Sequence, residues 1–374
     1  MAWLRRHRWG AIAATALLVA LAIGAAVSWH FSSAVLVPDH SPWPEDQTVE
    51  RLAPDRVVLS RTEESERPGV YGLAWQGGHA VIGRIVAVDA ETVTRELRSV
   101  RGYLAPGMDV AIARVYTGDP RQALGLPFAG VRVPGELGPM PAWLVPGRGD
   151  TWAILVHGIN DTPQAGLPIV PTLRRRGLPS LLITYREDLG APPSPDGLHH
   201  MGETEWRDLE AAVRYALDRG ARRLILVGYS MGGSLVAQFM QHSPLADRVA
   251  GLLLDAPALD WKETISFHAT EMGLPSFSTI PVEWAIGARV DADWDDLDAL
   301  RHTDALQLPI LLFHGGEDDV VPISTSEELA AALPRWVTYF RVPRAGHTQA
   351  WNVDPALYER RVEAFLARRV GGRF

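Results

Sequence analysis

The chain has 374 residues, with an apolar share of 47% and a charged share of 21%, which is typical of a packed globular protein larger than a single domain. A formal charge of −8 argues against nucleic-acid binding, because no basic surface would gather phosphates. The absence of cysteine excludes disulfides, thiolate metal sites and a cysteine nucleophile.

The N-terminal segment predicts a membrane anchor at 1–37. Three arginines within the first eight residues precede a stretch from Trp9 to Val37 that contains no charged residue. Its apolar run is long enough to cross the hydrocarbon core of a bilayer, which takes about 20 residues. Because the arginines precede this run and acidic residues follow it, we expect a single-pass anchor with the rest of the chain outside the cytoplasm. The alternative is a secretory signal cleaved near the small residues at 32–34.

A linker and a small β-rich domain are predicted next. Residues 38–54 contain four prolines among acidic residues, which is typical of an extended linker. Within 55–128, segments rich in Val, Ile and Tyr lie at 70–75, 79–88 and 110–116, with Gly and Pro between them. This domain shows no catalytic constellation, so spacing, substrate contact and partner binding all stay open as its role.

From 129 onward, apolar strands alternate with helices. We predict strands at 131–133, 142–145, 151–156, 180–185, from 223, at 249–255 and at 309–313, and helices near 171–176, 204–219 and 232–241. Such alternation is typical of a parallel sheet covered by helices on both faces. An aromatic-rich insertion at 259–307 interrupts the pattern and predicts a cap over an active site.

A nucleophile elbow follows the strand that begins at Arg223. Residues 228–233 read G-Y-S-M-G-G, which would place Ser230 on a sharp strand-to-helix turn. Glycines flank this serine because side chains there would collide with the neighbouring strand and helix. The start of a helix also favours the negative charge that develops when an acyl carbonyl is attacked. The pattern predicts Ser230 as a nucleophile, although a five-residue motif of this kind also occurs by chance.

A serine nucleophile needs a base and an orienting carboxylate, in the chain order Ser, acid, His. His347, in R-A-G-H-T, is the one histidine after the last strong strand and is the candidate base. The run H-G-G-E-D-D-V-V-P after the strand at 309–313 supplies the acid. Spacing within this run favours Asp318, with Asp319 and Glu317 as alternatives.

Other histidines favour structural roles. His157 and His314 each precede a glycine at a strand end, where we expect them to form hydrogen bonds. His199 and His200 lie near two glutamates, but adjacent histidines on a loop seldom face one ion. We therefore expect neither a metal nor a cofactor.

Four motifs together resemble the α/β-hydrolase family, in particular its branch of serine aminopeptidases, monoacylglycerol lipases and related bacterial esterases. They are H-G-I at 157–159, G-Y-S-M-G-G at 228–233, H-G-x-x-D-x-x-V-P at 314–322 and G-H at 346–347. The glycines Gly158, Gly228 and Gly232 belong to these motifs. The resemblance covers about 130–370 and implies an α/β-hydrolase domain at 129–374 with the insertion as its cap.

The resemblance also implies a role for each motif residue. Ser230 is the nucleophile, His347 is the general base and then the general acid, and Asp318 orients His347. The backbone N–H groups of Ile159 and Met231 form the oxyanion hole. The implied reaction is acyl transfer to water through an acyl-serine intermediate.

We therefore expect a membrane-anchored serine hydrolase that cleaves a carboxylic ester outside the cytoplasm. Its substrate would be a small-molecule or lipid-like acyl ester, because the insertion is aromatic-rich and the anchor would hold the active site near a bilayer. A peptidase, thioesterase or acyltransferase would use the same triad, and the fold does not separate them. A non-catalytic hydrolase fold serving as a scaffold at the cell envelope is the alternative from another class, but a scaffold has no need of an intact triad.

Overall fold

The computed structural model describes residues 2–368, without the side chains of residues 1–14, 16, 17, 20 and 21. An N-terminal helix leads into a closed six-stranded barrel, which is followed by an eight-stranded sheet covered by helices. The barrel strands are β1 (Gln47–Ala53), β2 (Arg56–Ser60), β3 (Tyr71–Trp75), β4 (Gly78–Val88), β5 (Thr92–Arg101) and β6 (Asp109–Ala113). The sheet strands are β7 (Ala129–Gly135), β8 (Gly138–Val145), β9 (Thr151–Val156), β10 (Ser180–Ile183), β11 (Arg223–Tyr229), β12 (Val249–Asp255), β13 (Ile310–Gly315) and β14 (Val337–Val342). The α-helices are α1 (Ala2–Leu36), α2 (Pro120–Leu124), α3 (Val170–Arg175), α4 (Trp206–Asp218), α5 (Met231–His242), α6 (Trp261–Glu271), α7 (Ile280–Val290), α8 (Ile323–Ala332), α9 (Ala350–Val353) and α10 (Pro355–Ala367).

The barrel confirms the β-rich N-terminal domain and corrects its boundaries. Its strands follow the order β1-β2-β5-β4-β3-β6, and β1 closes the ring by pairing with both β2 and β6. The domain therefore runs from 47 to 113, whereas the sequence pattern predicts a linker at 38–54 and the domain at 55–128. The prolines account for the difference: three of them precede β1, and Pro54 lies in the tight turn between β1 and β2, where no ladder hydrogen bond is lost.

The sheet has the order β14-β13-β12-β11-β9-β10-β8-β7, with β9 to β14 parallel and the pairs involving β7 and β8 antiparallel. Every residue of β9, β10 and β12 is buried, which explains why their sequences are continuously apolar. The predicted strands of this domain are confirmed. The central strand β11 lies between β9 and β12, so the loops after these three strands meet at one edge of the sheet.

The end of α1 packs on the domain that contains the eight-stranded sheet. Ser32 and Leu36 are fully buried, and Arg289 of α7 donates hydrogen bonds to the hydroxyls of Ser32 and Ser33 at 2.9 Å each. The same guanidinium lies 4.2 Å from the ring centroid of Trp29. Among the residues whose side chains are described, no helix is both long and apolar enough to cross a membrane. About half of the predicted anchor at 1–37 falls on residues whose side chains lie outside that description.

The insertion at 259–307 forms the helices α6 and α7 beside α1. The indole of Trp261 is buried and donates to the carbonyl of Met201 at 3.0 Å, which holds α6 against the hydrolase domain. Phe277 and Trp284 lie on the outer face, with 70% and 76% of their surface exposed. This location differs from the predicted cap, because the insertion contributes no residue to the lining of the cavity described next.

Candidate active site

Ser230 occupies a strained turn between β11 and α5. Its backbone has φ 52° and ψ −122°, a conformation that costs free energy in a non-glycine residue and is found at functional sites. A Cβ atom at Gly228 would lie 2.7 Å from the carbonyl oxygen of Gly232. One at Gly232 would collide with the carbonyl oxygen of Val156. The elbow therefore requires glycine at both positions, for the steric reason that the sequence indicated.

His347 and Asp318 form a direct pair. The His347 Nδ1 donates to both carboxylate oxygens of Asp318, at 2.9 and 3.1 Å. The Asp318 side chain is fully buried, whereas 17% of the His347 side chain is exposed. The acid alternatives are placed elsewhere, because Asp319 pairs with Arg67 at 3.3 Å and Glu317 is exposed.

The buried Asp318 is held as a carboxylate by several donors. Burial alone would raise its pKa, but hydrogen bonds from His314 and His347 keep the pKa well below its usual range. The His314 Nε2 lies 3.2 Å from Asp318 Oδ2, and the backbone N–H groups of Val320 and Val321 donate to Oδ1 at 2.9 Å each. Asp318 therefore faces His347 with a fixed negative charge at neutral pH.

Three histidines that the sequence analysis considered, His157, His199 and His200, each have a partner outside this pair. The His157 Nε2 donates to Asp188 at 2.9 Å, which fixes the turn after β9. His199 is bonded to Asn160 at 3.1 Å, and His200 pairs with Asp196 at 3.1 Å. Within the described part of the chain, no group of three or more His, Asp or Glu side chains is arranged to hold a metal ion.

A cavity of about 480 Å³ opens above the elbow, and Ser230, His347 and Ile159 all line it. The loop that carries Ile159 approaches the elbow closely, since a Cβ atom at Gly158 would stand 2.9 Å from the Ser230 Cβ. Met231 is the first residue of α5, so its N–H has no partner within the helix. No hydrogen bond joins Ser230 Oγ to His347 in the described structure, and such bonds often tighten only when substrate binds.

The barrel forms a second wall of this cavity, through residues that the sequence did not single out. Arg114, directly after β6, is ion-paired with Asp161 in the loop that also carries Ile159. Arg67 pairs with Asp319, next to the candidate acid. The two partners of the Arg67 pair are 252 positions apart, so the sequence offered no local signal for it.

The barrel also contacts the loop that carries His347. The Tyr71 hydroxyl is bonded to the Gln349 side-chain oxygen at 3.0 Å. The Asn352 side-chain amide donates to the carbonyl of Val70 at 2.7 Å, and the Val70 N–H donates to the carbonyl of Asn352 at 2.9 Å. Each of the three loops that hold the candidate oxyanion, acid and histidine residues is therefore bonded to the barrel.

Asp255 is a second buried acid that the sequence did not single out. It ends β12, lines the cavity and is 1% exposed. Neither carboxyl oxygen has a hydrogen-bond partner of good geometry among the described residues. Burial raises the pKa of Asp255 to about 7, although the neighbouring Tyr358 hydroxyl and His314 oppose this shift.

Comparisons with known proteins agree with this fold. Residues 195–373 match the prolyl oligopeptidase family, and residues 48–113 match a family described as a domain of unknown function (DUF8805). The pyrethroid hydrolase of Sphingobium wenxiniae is 23% identical over 244 residues, which are 55% of this chain and 84% of the relative. An uncharacterised protein, YfhR, of Salmonella typhimurium is 27% identical over 211 residues, covering 53% of this chain and 65% of that protein.

Solved structures of two hydrolases have a similar fold. An esterase from Pyrococcus furiosus superposes with a TM-score of 0.56 and 20% identity, covering 68% of this chain and 95% of that structure. A puromycin-hydrolyzing peptidase of Mycobacterium tuberculosis gives a TM-score of 0.51 and 20% identity, covering 85% of this chain and 51% of that one. With the sheet order and the elbow, these matches show that the chain has the α/β-hydrolase fold, and they support a serine hydrolase of the esterase and peptidase type.

Proposed function

We propose that this serine hydrolase cleaves the carboxylic ester of a small molecule through an acyl-Ser230 intermediate. The observation that supports it most directly is a strained Ser230 lining the same cavity as a His347 that is hydrogen-bonded to a buried carboxylate. A serine that only caps a helix has no need of a strained backbone, and a histidine in a surface loop has no need of a buried carboxylate partner.

In the proposed mechanism, the Ser230 hydroxyl attacks the ester carbonyl carbon while His347 Nε2 accepts its proton. Asp318 stabilises the resulting imidazolium and fixes the ring tautomer, because its oxygens accept from Nδ1. The backbone N–H groups of Ile159 and Met231 would bind the developing oxyanion. His347 then returns the proton to the leaving alcohol, and water repeats the sequence to release the acid and restore Ser230.

An ester is favoured over an amide only by the relatives. One matched relative is named a pyrethroid hydrolase and one superposed structure an esterase, whereas the mycobacterial neighbour is named a peptidase. Peptidase, thioesterase and acyltransferase activities would use the same triad. Rates with a p-nitrophenyl ester and an aminoacyl p-nitroanilide of the same acyl group separate the first two, and we expect the ester to react faster.

Covalent labelling tests the nucleophile. A fluorophosphonate probe should label the wild-type protein and the control Ser99→Ala, whose serine is exposed on β5, but not Ser230→Ala. Equal labelling of Ser230→Ala would overturn the assignment. A wild type that takes up no label and hydrolyses no ester would instead favour a non-catalytic scaffold.

We also propose that the N-terminal segment anchors the protein in the cell membrane with the catalytic domain outside the cytoplasm. This proposal rests on the uncharged stretch from Trp9 to Val37 and the arginines before it. A reporter enzyme that works only outside the cytoplasm should be active when it is fused after Pro38. Activity of a reporter that works only in the cytoplasm would contradict the topology. Release of the whole domain into the medium would support a cleaved signal instead.

A further inference from the structure

The cavity above Ser230 has walls from two separate parts of the chain. The hydrolase domain supplies the elbow, the oxyanion loop and the histidine loop. The opposite wall comes from the barrel, the segment after β6 and the segment before β1. Its residues include Trp43, Glu64, Arg67, Tyr71, Arg114 and Tyr116. A substrate bound at Ser230 would therefore contact the barrel domain.

Trp43 and Arg114 form the part of this wall that stands beside the oxyanion loop. The Arg114 guanidinium lies 5.7 Å from the ring centroid of Trp43 and is ion-paired with Asp161. A quarter of the Arg114 side chain is still exposed, as is 54% of Trp43. The pair thus offers a substrate one flat apolar ring and several N–H donors that have room for a further acceptor.

The charges beside Trp43 favour a polar but uncharged group. Arg114 is paired with Asp161, so a charged group of the substrate at this position would meet both an attracting and a repelling group. An alkyl chain would exclude water from the ion pair without replacing the hydrogen bonds that it makes with that water, which costs free energy. An amide or hydroxyl can accept from a guanidinium and donate to a carboxylate at once.

We propose that Trp43 and Arg114 form a specificity subsite for the amide- or hydroxyl-bearing part of the ester substrate. This inference rests on the proposed esterase function and narrows its small-molecule substrate to a compact polar ester, in place of the lipid-like ester expected from the sequence. Arg114 and Trp43 bind this part of the substrate and take no part in proton transfer. Their loss should therefore raise KM and leave the reactivity of Ser230 in place.

Two pairs of esters with matched chain length test the subsite from either side of the scissile bond. On the acid side, the p-nitrophenyl esters of N-acetylglycine and of pentanoic acid differ by an amide in place of two methylenes. On the alcohol side, the acetates of N-acetylethanolamine and of pentanol differ in the same way. The wild type should prefer the amide member of at least one pair by about 10-fold in kcat/KM, the worth of one hydrogen bond to a charged group.

Variants assign that preference to the subsite. Trp43→Ala and Arg114→Ala should each reduce the preference to about threefold or less, mainly through KM, whereas the controls Arg56→Ala and Trp284→Ala should keep it. Both controls remove an exposed residue of the same type, Arg56 on the barrel and Trp284 on α7. Trp43→Ala should still be labelled on Ser230 by the fluorophosphonate, which shows that its elbow is intact even if Arg114→Ala folds poorly.

The two proposals fail in different ways. A wild type that labels and hydrolyses esters but prefers neither amide would overturn the subsite and leave the esterase function standing. The subsite would also be overturned if Trp43→Ala kept the full preference. A wild type that neither labels nor hydrolyses any of the four esters would overturn the esterase function itself.

Discussion

The barrel and the insertion at 259–307 are both additions to the hydrolase sheet, and their sequences suggested opposite roles. The insertion is rich in aromatic residues and lies where a cap is expected, while the barrel shows no catalytic pattern. In the structure, the barrel lines the cavity and the insertion packs beside α1. The composition of a segment indicates that it will bury or expose apolar surface, but not which neighbour it will meet.

The two regions also differ in how they are held. The insertion is attached through buried apolar contacts and through the Trp261 indole, which donates to the carbonyl of Met201 and to the hydroxyl of Ser234 on α5. The barrel is attached through polar contacts to the loops that carry the candidate catalytic residues. Substitutions in the barrel should therefore affect catalysis, and substitutions on the outer face of the insertion should not.

The largest effect should come from neither region but from Asp318→Asn. The amide cannot hold the reactive tautomer of His347 or stabilise its imidazolium, so kcat should fall by about ten-thousand-fold. Steady-state hydrolysis of a p-nitrophenyl ester measures it, with Asp319→Asn as the control that should retain most activity. If Asp319→Asn lost as much as Asp318→Asn, the barrel contact at Asp319 would be part of the catalytic machinery.

Removing one barrel contact should have a moderate effect. Tyr71→Phe deletes the hydroxyl that is bonded to Gln349, two residues after His347, and one neutral hydrogen bond is worth about 1 kcal/mol. We expect the rate of fluorophosphonate labelling to fall by about fivefold. Tyr103→Phe, on an exposed barrel tyrosine, should label like the wild type, and a Tyr71→Phe variant that does the same would show that the barrel does not position the histidine loop.

Asp255→Asn tests the protonation of the buried carboxyl that lines the cavity at the end of β12. The folded protein holds a proton on Asp255 up to about pH 7, whereas in the unfolded chain this carboxyl ionises near its ordinary value of 3.8. The unfolded state binds fewer protons across this window, so wild-type stability falls as the pH rises from about 4 to about 7 and then levels off. The variant lacks this loss, so its Tm relative to wild type should rise between pH 5 and pH 8. A constant difference would mean that Asp255 does not titrate in this window.

The smallest effect should come from the outer face of the insertion. Trp284→Ser and Phe277→Ser replace exposed side chains that do not reach the cavity, so kcat/KM for a water-soluble ester should stay within about twofold of wild type. Hydrolysis of the N-acetylglycine ester provides the measurement. A tenfold loss would show that the insertion does cover the site during turnover.

The hydrolase half of the fold could be predicted from the sequence because its signals are local. The strands are continuously apolar since both faces of the sheet are covered, and the elbow glycines form a short motif in the sequence, although the backbone atom that requires Gly232 belongs to Val156 on the neighbouring strand β9. The spacing that favoured Asp318 over Asp319 agrees with the hydrogen bond to His347. These features depend on a short stretch of chain and its immediate neighbours.

The barrel wall and the acid at the cavity floor could not be predicted in this way. The prolines around β1 make its sequence similar to that of a linker. The strand β6, which pairs with β1 to close the barrel, lies about 60 residues away and gives no local signal. Arg114 and Trp43 are ordinary surface residues in sequence terms, and only the docking of the barrel gives them a role. Asp255 has no motif, and its raised pKa arises from burial between elements that are distant in the chain.

The bonds between Val70 and Asn352 also impose an order of assembly. They join positions 282 residues apart, so this contact cannot form until the chain has been synthesised through Asn352. The strands of the barrel pair only with one another, so the barrel can close before it meets the histidine loop. A chain that stops before Asn352 would therefore lack the bonds that fix the barrel against the histidine loop.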